Sequence, residues 1–190
     1  MTLQEQFGQI DIYLFDQILR GNVLPGMRVL DAGCGGGRNI QYLLREGYEV
    51  FGVDVNAEAV AAVRKMASEL APGRPAENFQ VASVVAMPFA DEFADVVVYH
   101  SVLHFARDEA QLEAMVRGLW RVLRPGRMLF CRLPLPLPDA PLAHRFTADE
   151  LSRLSTQTIQ ADNPFVDEDP FDSRYWEMNS QTLEEFLTKE

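Results

Sequence analysis

The sequence predicts a doubly wound α/β fold, a mostly parallel sheet with helices on both faces. Three observations predict it. Short apolar and β-branched runs alternate with helical patterns from about residue 27 to residue 133. The first apolar run, Val29-Leu30-Asp31, ends in an acid and, after Ala32, breaks into four glycines within five residues, Gly33, Gly35, Gly36 and Gly37. The second run, residues 48–54, again ends in an acid, Asp54, 21 residues after Gly33.

The elements follow in order. Residues 7–20 place Phe7, Ile10, Tyr13, Leu14, Ile18 and Leu19 close to helical spacing, and Gly21-Asn22 ends the pattern. Standing before a glycine loop, this helix can act as a lid whose Phe7 and Tyr13 face a ligand. The favoured reading is that both rings belong to the core of an amphipathic helix. Pro25-Gly26 turns into a strand over 27–31. A helix over 38–46 closes at Gly47, and a strand over 48–54 follows. Asn56 is the expected N-cap of an alanine-rich helix over 57–70. A loop over 71–75 leads to a short strand over 78–82, and the β-branched run 93–99 is the fourth strand. A long helix over 108–123 ends at Arg124-Pro125-Gly126, and 127–133 is the fifth strand.

Beyond residue 133 the organisation changes. Prolines at 134, 136, 138 and 141 exclude a central strand or a helix there. Thr147-Ala148-Asp149-Glu150 has the form of a capped start, predicting a short helix over 147–154. Tyr175-Trp176-Glu177-Met178 reads as a strand, and Thr182 and Glu185 stand at capping-box spacing in a helix over 180–189. A single domain with three parts results: an N-terminal helix or lid (1–26), a ligand-binding core (27–133) and an atypical C-terminal region (134–190).

Composition narrows the partners. The 190 residues carry a net charge of −11, with 47% hydrophobic content. Nucleic-acid binding draws on clustered Lys and Arg. The densest basic stretch, residues 117–127, holds four arginines and lies where cations complement a helix C-terminus. A small-molecule partner is therefore expected rather than nucleic acid. No apolar run approaches the ~20 residues that span a bilayer, and no basic segment followed by an apolar one opens the chain. No membrane partner is expected, and the expected setting is the cytoplasm. Cys34 and Cys131 are too few for a metal cluster and His144 is isolated, so no metal is expected and both thiols read as small packing residues.

The glycine loop carries the chemistry. Glycine is required where φ is positive or where a ligand lies against bare backbone, and a helix start beside it offers free N–H donors. An acid ending the second strand of a doubly wound sheet accepts from ribose hydroxyls, which makes Asp54 the candidate and leaves Asp31 under the turn. The alternative for each acid is a cap on the next helix. A dinucleotide loop ends in glycine or alanine where Arg38 stands, so an NAD-linked oxidoreductase is disfavoured. A nucleoside ligand without pyrophosphate fits better.

With these residues in view, the chain resembles the class I S-adenosylmethionine-dependent methyltransferases of small-molecule type, whose fold is Rossmann-like. Residues 29–37 resemble the family's first motif, and Phe51-Gly52-Val53-Asp54 its ribose-binding strand end. Met87-Pro88-Phe89, the run 93–98 and Val102-Leu103-His104-Phe105 resemble its fourth-strand region, and residues 119–126 the helix and turn before its fifth strand. The resemblance covers roughly residues 10–133 and implies S-adenosyl-L-methionine as cofactor. It implies that Gly33, Gly35 and the neighbouring Asp31, Cys34 and Arg38 hold the methionine part and that Asp54 binds the ribose. Val55 would lie beside the adenine, and Tyr99 and His100 at the pocket mouth near the transferred methyl. Two features depart from the family. Ser83, followed by Val84, stands where many members have an aspartate that accepts from the adenine amino group, and a hydroxyl accepts without charge. The family's sixth strand and antiparallel seventh are not both apparent, so a homodimer that completes this edge is one expectation.

Methyl transfer from a sulfonium is an in-line displacement for which a protein mainly supplies alignment and exclusion of water. A base is needed only where the nucleophile arrives protonated, and His100 and His104 are the candidates because imidazole titrates near neutral pH. The alternatives are that His104 packs beneath the sheet end and that His100 only contacts cofactor. Phe7, Tyr13 and His104 are the candidate substrate contacts. The expectation is methyl transfer to a small molecule, set against cofactor binding without transferase activity. The acceptor atom, whether O, N, S or an oxyanion, is chosen by variable loops.

Overall fold

Alternation of side chains along the central strands builds a sheet with two packed faces. The computed structural model of the chain describes residues 2, 6–132 and 175–179, the last as backbone alone. Within them β1 (Arg28–Ala32), β2 (Glu49–Asp54), β3 (Phe79–Val81), β4 (Ala94–His100), β5 (Leu123–Arg132) and β6 (Tyr175–Asn179) form one sheet. Their order is β3-β2-β1-β4-β5-β6. β1 to β5 are mutually parallel, and β6 runs antiparallel to β5 with Met178 opposite Leu129. The sheet is mostly parallel, as the spacing predicts, and the strand read at 175–178 is its antiparallel member.

On one face Val29, Val96, Val98 and Phe130 meet α1 (Ile12–Leu19), α2 (Ile40–Arg45) and α3 (Ala57–Leu70) through Leu14, Leu43, Val60 and Val63. On the other face Leu30, Val97, Tyr99 and Leu129 meet α4 (Glu109–Val122) through Met115 and Leu119. Each large aliphatic side chain fully buried in this way contributes ~1.5–3 kcal/mol of transfer free energy. Gly118 lets α4 ride directly on a 3-10 turn, Val84–Ala86, because a Cβ there would lie 2.3 Å from the Val84 carbonyl oxygen.

The expected cap at Asn56 forms, and α4 is capped as well. Asn56 accepts from the Glu58 and Ala59 N–H groups at 2.9 and 3.3 Å, and Asp108 from Gln111 at 2.7 Å. The N-terminal helix is not continuous over 7–20. Gly8 takes a φ of 66°, and α1 starts afresh with Asp11 as its N-cap. Nor do Arg124 and Arg127 face the end of α4. They bind the Asp95 carboxylate at 2.9 and 3.3 Å. Between them the ladder slips, Leu123 pairing with Ala94 and Met128 with Val96. The proline-rich stretch after 133 and the helices expected over 147–154 and 180–189 lie outside the described residues. Among the described residues no helix is long and apolar enough to cross a membrane.

Candidate active site

The chain crosses from β1 towards β2 on one side, while β4 leads to β5 on the other, so the carboxyl ends of β1 and β4 leave a crevice between them. A cavity of about 380 Å³ opens there, a size suited to a small organic ligand. Asp31, Gly33, Cys34, Gly35 and Gly36 line it from β1 and its loop, and Arg38, Asn39 and Gln41 from the start of α2. Met66 of α3, His100 of β4 and Gln9 complete it.

Hydrogen bonds draw the glycine loop over the end of β2. The N–H groups of Gly33 and Cys34 donate to the Val53 carbonyl at 2.8 and 2.9 Å, and Gly35 N–H donates to Asp54 Oδ2 at 2.8 Å. Gly33 has a φ of 91°, and a Cβ there would strike Val102 Cγ2 at 2.4 Å, so only glycine fits. At Gly35 and Gly36 an added Cβ would meet nothing within 4 Å. These two form an open cradle on the cavity side.

Asp54 stands beside the cavity and not in its lining. Its Oδ1 accepts from Asn56 N–H at 2.8 Å, so each oxygen holds one backbone donor and keeps a second lone pair. Ala82 N–H donates to the Asp54 carbonyl at 3.0 Å, which brings the chain leading into exposed Val55 alongside the chain leading into Ser83. Ser83 Oγ accepts from Val85 N–H at 3.3 Å, and Val84 is buried in the α4 face of the core.

Charge at the cavity is uneven. Burial foremost, then the charge of Asp54, pushes the Asp31 carboxyl up to about 7, with Arg38 partly opposing. Burial and the same two acids push the Cys34 thiol up, and burial pushes Cys131 up to about 12. Both thiols are free and buried. A carboxyl kept partly protonated by its surroundings is re-ionised by an approaching cation, which suits a ligand bearing a sulfonium or ammonium group.

His100 is held from outside the sheet. Its Nε2 lies 3.1 Å from Asp11 Oδ2, and Arg132 Nη1 at the end of β5 donates to the same oxygen. Burial alone would raise the Asp11 carboxyl, but the bond from His100 and the charge and bond of Arg132 outweigh it and hold it at about 2. Asp11 N–H donates to Asn39 Oδ1 at 3.0 Å, and Arg38 and Arg45 donate to the carbonyls of Gln9 and Gln6 at 3.0 and 3.2 Å. Residues 6–11 are thereby strapped across the loop and the start of α2.

Sequence reasoning brings together Asp31, Gly33, Cys34, Gly35, Arg38 and His100, and it missed Gln9, Asp11, Asn39 and Arg132. An acid just before Ile12-Tyr13-Leu14 is a legible N-cap signal for Asp11; its contact with His100, 89 residues on, is not. Phe7 and Tyr13 do not line the cavity. Phe7 packs at 5.0 and 5.6 Å from the Phe15 and Tyr42 rings, and Tyr13 lies under the Arg132 guanidinium at 5.4 Å. The turn at Gly8 gives their expected place to Gln9. Tyr99 is not at the pocket mouth either: it is fully buried on the α4 face, since strand neighbours alternate and His100 takes the cavity side. His104 falls in a 3-10 turn, Leu103–Phe105, with its side chain outside the described residues. No group of three metal-ligating side chains forms among the described residues.

A glycine loop at the switch point of a parallel sheet, with an acid closing the next strand, is how Rossmann-like domains hold a nucleotide or nucleoside cofactor. Within that class the chain belongs to the methyltransferase domain family of class I S-adenosylmethionine-dependent methyltransferases, whose pattern matches residues 30–131. It is 33% identical over 109 residues to an uncharacterised methyltransferase of Synechocystis sp., covering 55% of this chain and 45% of that protein. It is 30% identical over 117 residues to the tRNA 5-carboxymethoxyuridine methyltransferase of Escherichia coli (strain K12), covering 60% and 42%. A solved S-adenosylmethionine-dependent methyltransferase from Methanosarcina mazei superposes with a TM-score of 0.52 at 27% identity, over 60% of this chain and 56% of that one. The chain spans less than half the length of these two curated relatives.

Proposed function

We propose that this chain binds S-adenosyl-L-methionine in the switch-point cavity and methylates a small-molecule acceptor there. The observation that carries the reading is one cavity with an open glycine cradle and a buried acid on one wall and a histidine on the other. When bound, S-adenosylmethionine supplies a methyl carbon on a sulfonium, whose bond to sulfur breaks towards a neutral thioether as the acceptor's lone pair bonds to carbon. The backbone at Gly33, Gly35 and Gly36 would receive the methionine part, with Asp31 facing its cationic groups and Arg38 its carboxylate. Asp54 offers its remaining lone pairs to the ribose hydroxyls. Val55 offers an apolar surface to the adenine, and Ser83 its hydroxyl to the adenine edge. The strapped segment 6–11 excludes water, which strengthens each polar contact beneath it. His100 takes the proton from an acceptor that arrives protonated, with His104 in the following turn as the alternative.

The net charge of −11 supports a small acceptor, because a polyanion is bound through neutralisation by Lys and Arg. Two buried, free thiols suit a reducing cytoplasm. Thermal unfolding tests the cofactor. S-Adenosylmethionine or its demethylated product at 100 times its dissociation constant should each add about 2.7 kcal/mol of stability. NAD should add nothing, and Asp54→Ala should weaken both gains. Absence of a shift with either nucleoside would remove the reading. Phenols, carboxylic acids, amines and thiols, run beside unmodified tRNA, then report the acceptor, and turnover of tRNA alone would overturn the small-molecule assignment.

A further inference from the structure

Asp11 divides its two oxygens between two tasks. Oδ1 caps α1, accepting from the Tyr13 and Leu14 N–H groups at 2.9 and 3.4 Å. Oδ2 faces His100 Nε2 at 3.1 Å and accepts from Arg132 Nη1. The Asp11 side chain is wholly buried, whereas that of His100 is 13% exposed and lines the cavity. A carboxylate buried with an arginine on it is ionised and can only accept. The bond to the ring must therefore come from an Nε2–H, and a neutral imidazole then carries its lone pair at Nδ1. Among the described residues Nδ1 has no hydrogen-bond partner.

We infer that Asp11 is a positioning residue that locks His100 in the Nε2–H tautomer, presenting the Nδ1 lone pair to the acceptor's proton. The inference rests on the proposed role of His100. The acceptor's X–H bond breaks and its proton passes to Nδ1, while an electron pair on X bonds to the methyl carbon in place of that carbon's bond to sulfur, the sulfur leaving as a neutral thioether. The imidazolium so formed is stabilised by the Asp11 carboxylate and later loses its proton to solvent. Arg132 serves this arrangement from β5 by keeping Asp11 ionised. Ser101, at a φ of 57°, turns the chain after β4 while its N–H donates to the Arg132 carbonyl at 2.8 Å. That bond keeps the ends of β4 and β5 level, so both side chains reach one oxygen. Among the described residues, the charged or titratable groups around the ring are Asp11 and Arg132, with Asp31, Cys34 and Arg38 on the shared cavity wall.

Proton NMR of the full chain tests this without any acceptor. A bonded Nε2–H should give a slowly exchanging signal far downfield of the amides. His100→Asn should remove and so assign it. Asp11→Ser should also remove it, because serine retains a cap for α1 but offers no second oxygen. For an acceptor that arrives protonated, the same variant should lower kcat by about 10–100-fold at unchanged KM. An acceptor that arrives unprotonated should lose nothing. A nitrogen-correlated spectrum of the unaltered chain that places the His100 proton on Nδ1 overturns the inference, whether or not Asp11→Ser folds. Should no acceptor turn over, the proposed function fails, while the ring spectra still decide what Asp11 does.

Discussion

β4 and β5 carry an aspartate–arginine cluster at each end, and the two clusters differ in what they leave open. At the amino end, Asp95 accepts from Arg28 N–H at 2.9 Å and meets Arg124 and Arg127. Its burial is outweighed by the bonds from Arg28 and Arg124, which hold the carboxyl below its ordinary range. The whole arrangement is satisfied by protein. At the carboxyl end, Asp11 is also satisfied, but through a ring that faces a cavity. Asp31 on the same cavity is pushed the opposite way, to about 7. Buried charge is tolerated when it is fully compensated. Where compensation is left incomplete, perturbed acids mark the place that a ligand completes.

The largest expected effect breaks the closed end. Asp95→Ala leaves one backbone donor and two arginines without their acceptor and should cost about 2–3 kcal/mol in denaturant unfolding. S-Adenosylmethionine affinity of the folded variant should be unchanged, and a matching loss of affinity would erase the distinction between the ends. The next effect sharpens the open end. The Asp31 carboxyl lies above its ordinary 3.8, at about 7. Its contribution to stability is therefore full below pH 4 and is lost as pH rises through about 7. A cationic ligand that favours the ionised form should bind about 5–10-fold more tightly at pH 8 than at pH 6. Asp31→Asn should flatten that profile, measured by calorimetry, and should remove the decline in stability. A profile unchanged in the variant would mean that Asp31 does not face the ligand's charge.

The open end was the more legible of the two. A glycine loop, an acid at each strand end and a histidine closing β4 are local patterns, and local physics explains them. Gly33 must take a positive φ against Val102, and Asp54 anchors Gly35. The strand alternation that builds both faces also distinguishes Tyr99 from His100, although resemblance alone places both at the pocket. Phe7 and Tyr13 pack against protein, as the core reading of the N-terminal helix has it, while one glycine, Gly8, splits the helical spacing of 7–20. The charge clusters were not legible at all. Arg124 and Arg127 look like helix-end cations until the sheet folds Asp95 against them, and Arg132 meets Asp11 across 121 residues of chain. Such contacts follow from the register of β4 against β5, a property of the assembled sheet and not of any window of sequence.

The smallest effect lies on the acid side and separates the clusters by slope. Asp11, at about 2 in the folded chain against its ordinary 3.8, stabilises above pH 4 and loses that contribution as pH falls towards 2. Asp95 is lowered as well and acts in the same direction. From pH 4 to pH 2.5 the Asp11 contribution should fall by about 1 kcal/mol, read from urea unfolding at fixed ionic strength. Asp11→Ser and Asp95→Asn should each make that acid limb shallower. Asp31→Asn should steepen it by about 0.5 kcal/mol over the same range, because Asp31 is already protonated in the folded chain while its unfolded carboxyl, at the ordinary 3.8, still takes up a proton as pH falls. An acid limb that becomes shallower in Asp31→Asn would mean that the three acids titrate as one coupled set, and the division between a closed and an open end would then have to be redrawn around that set.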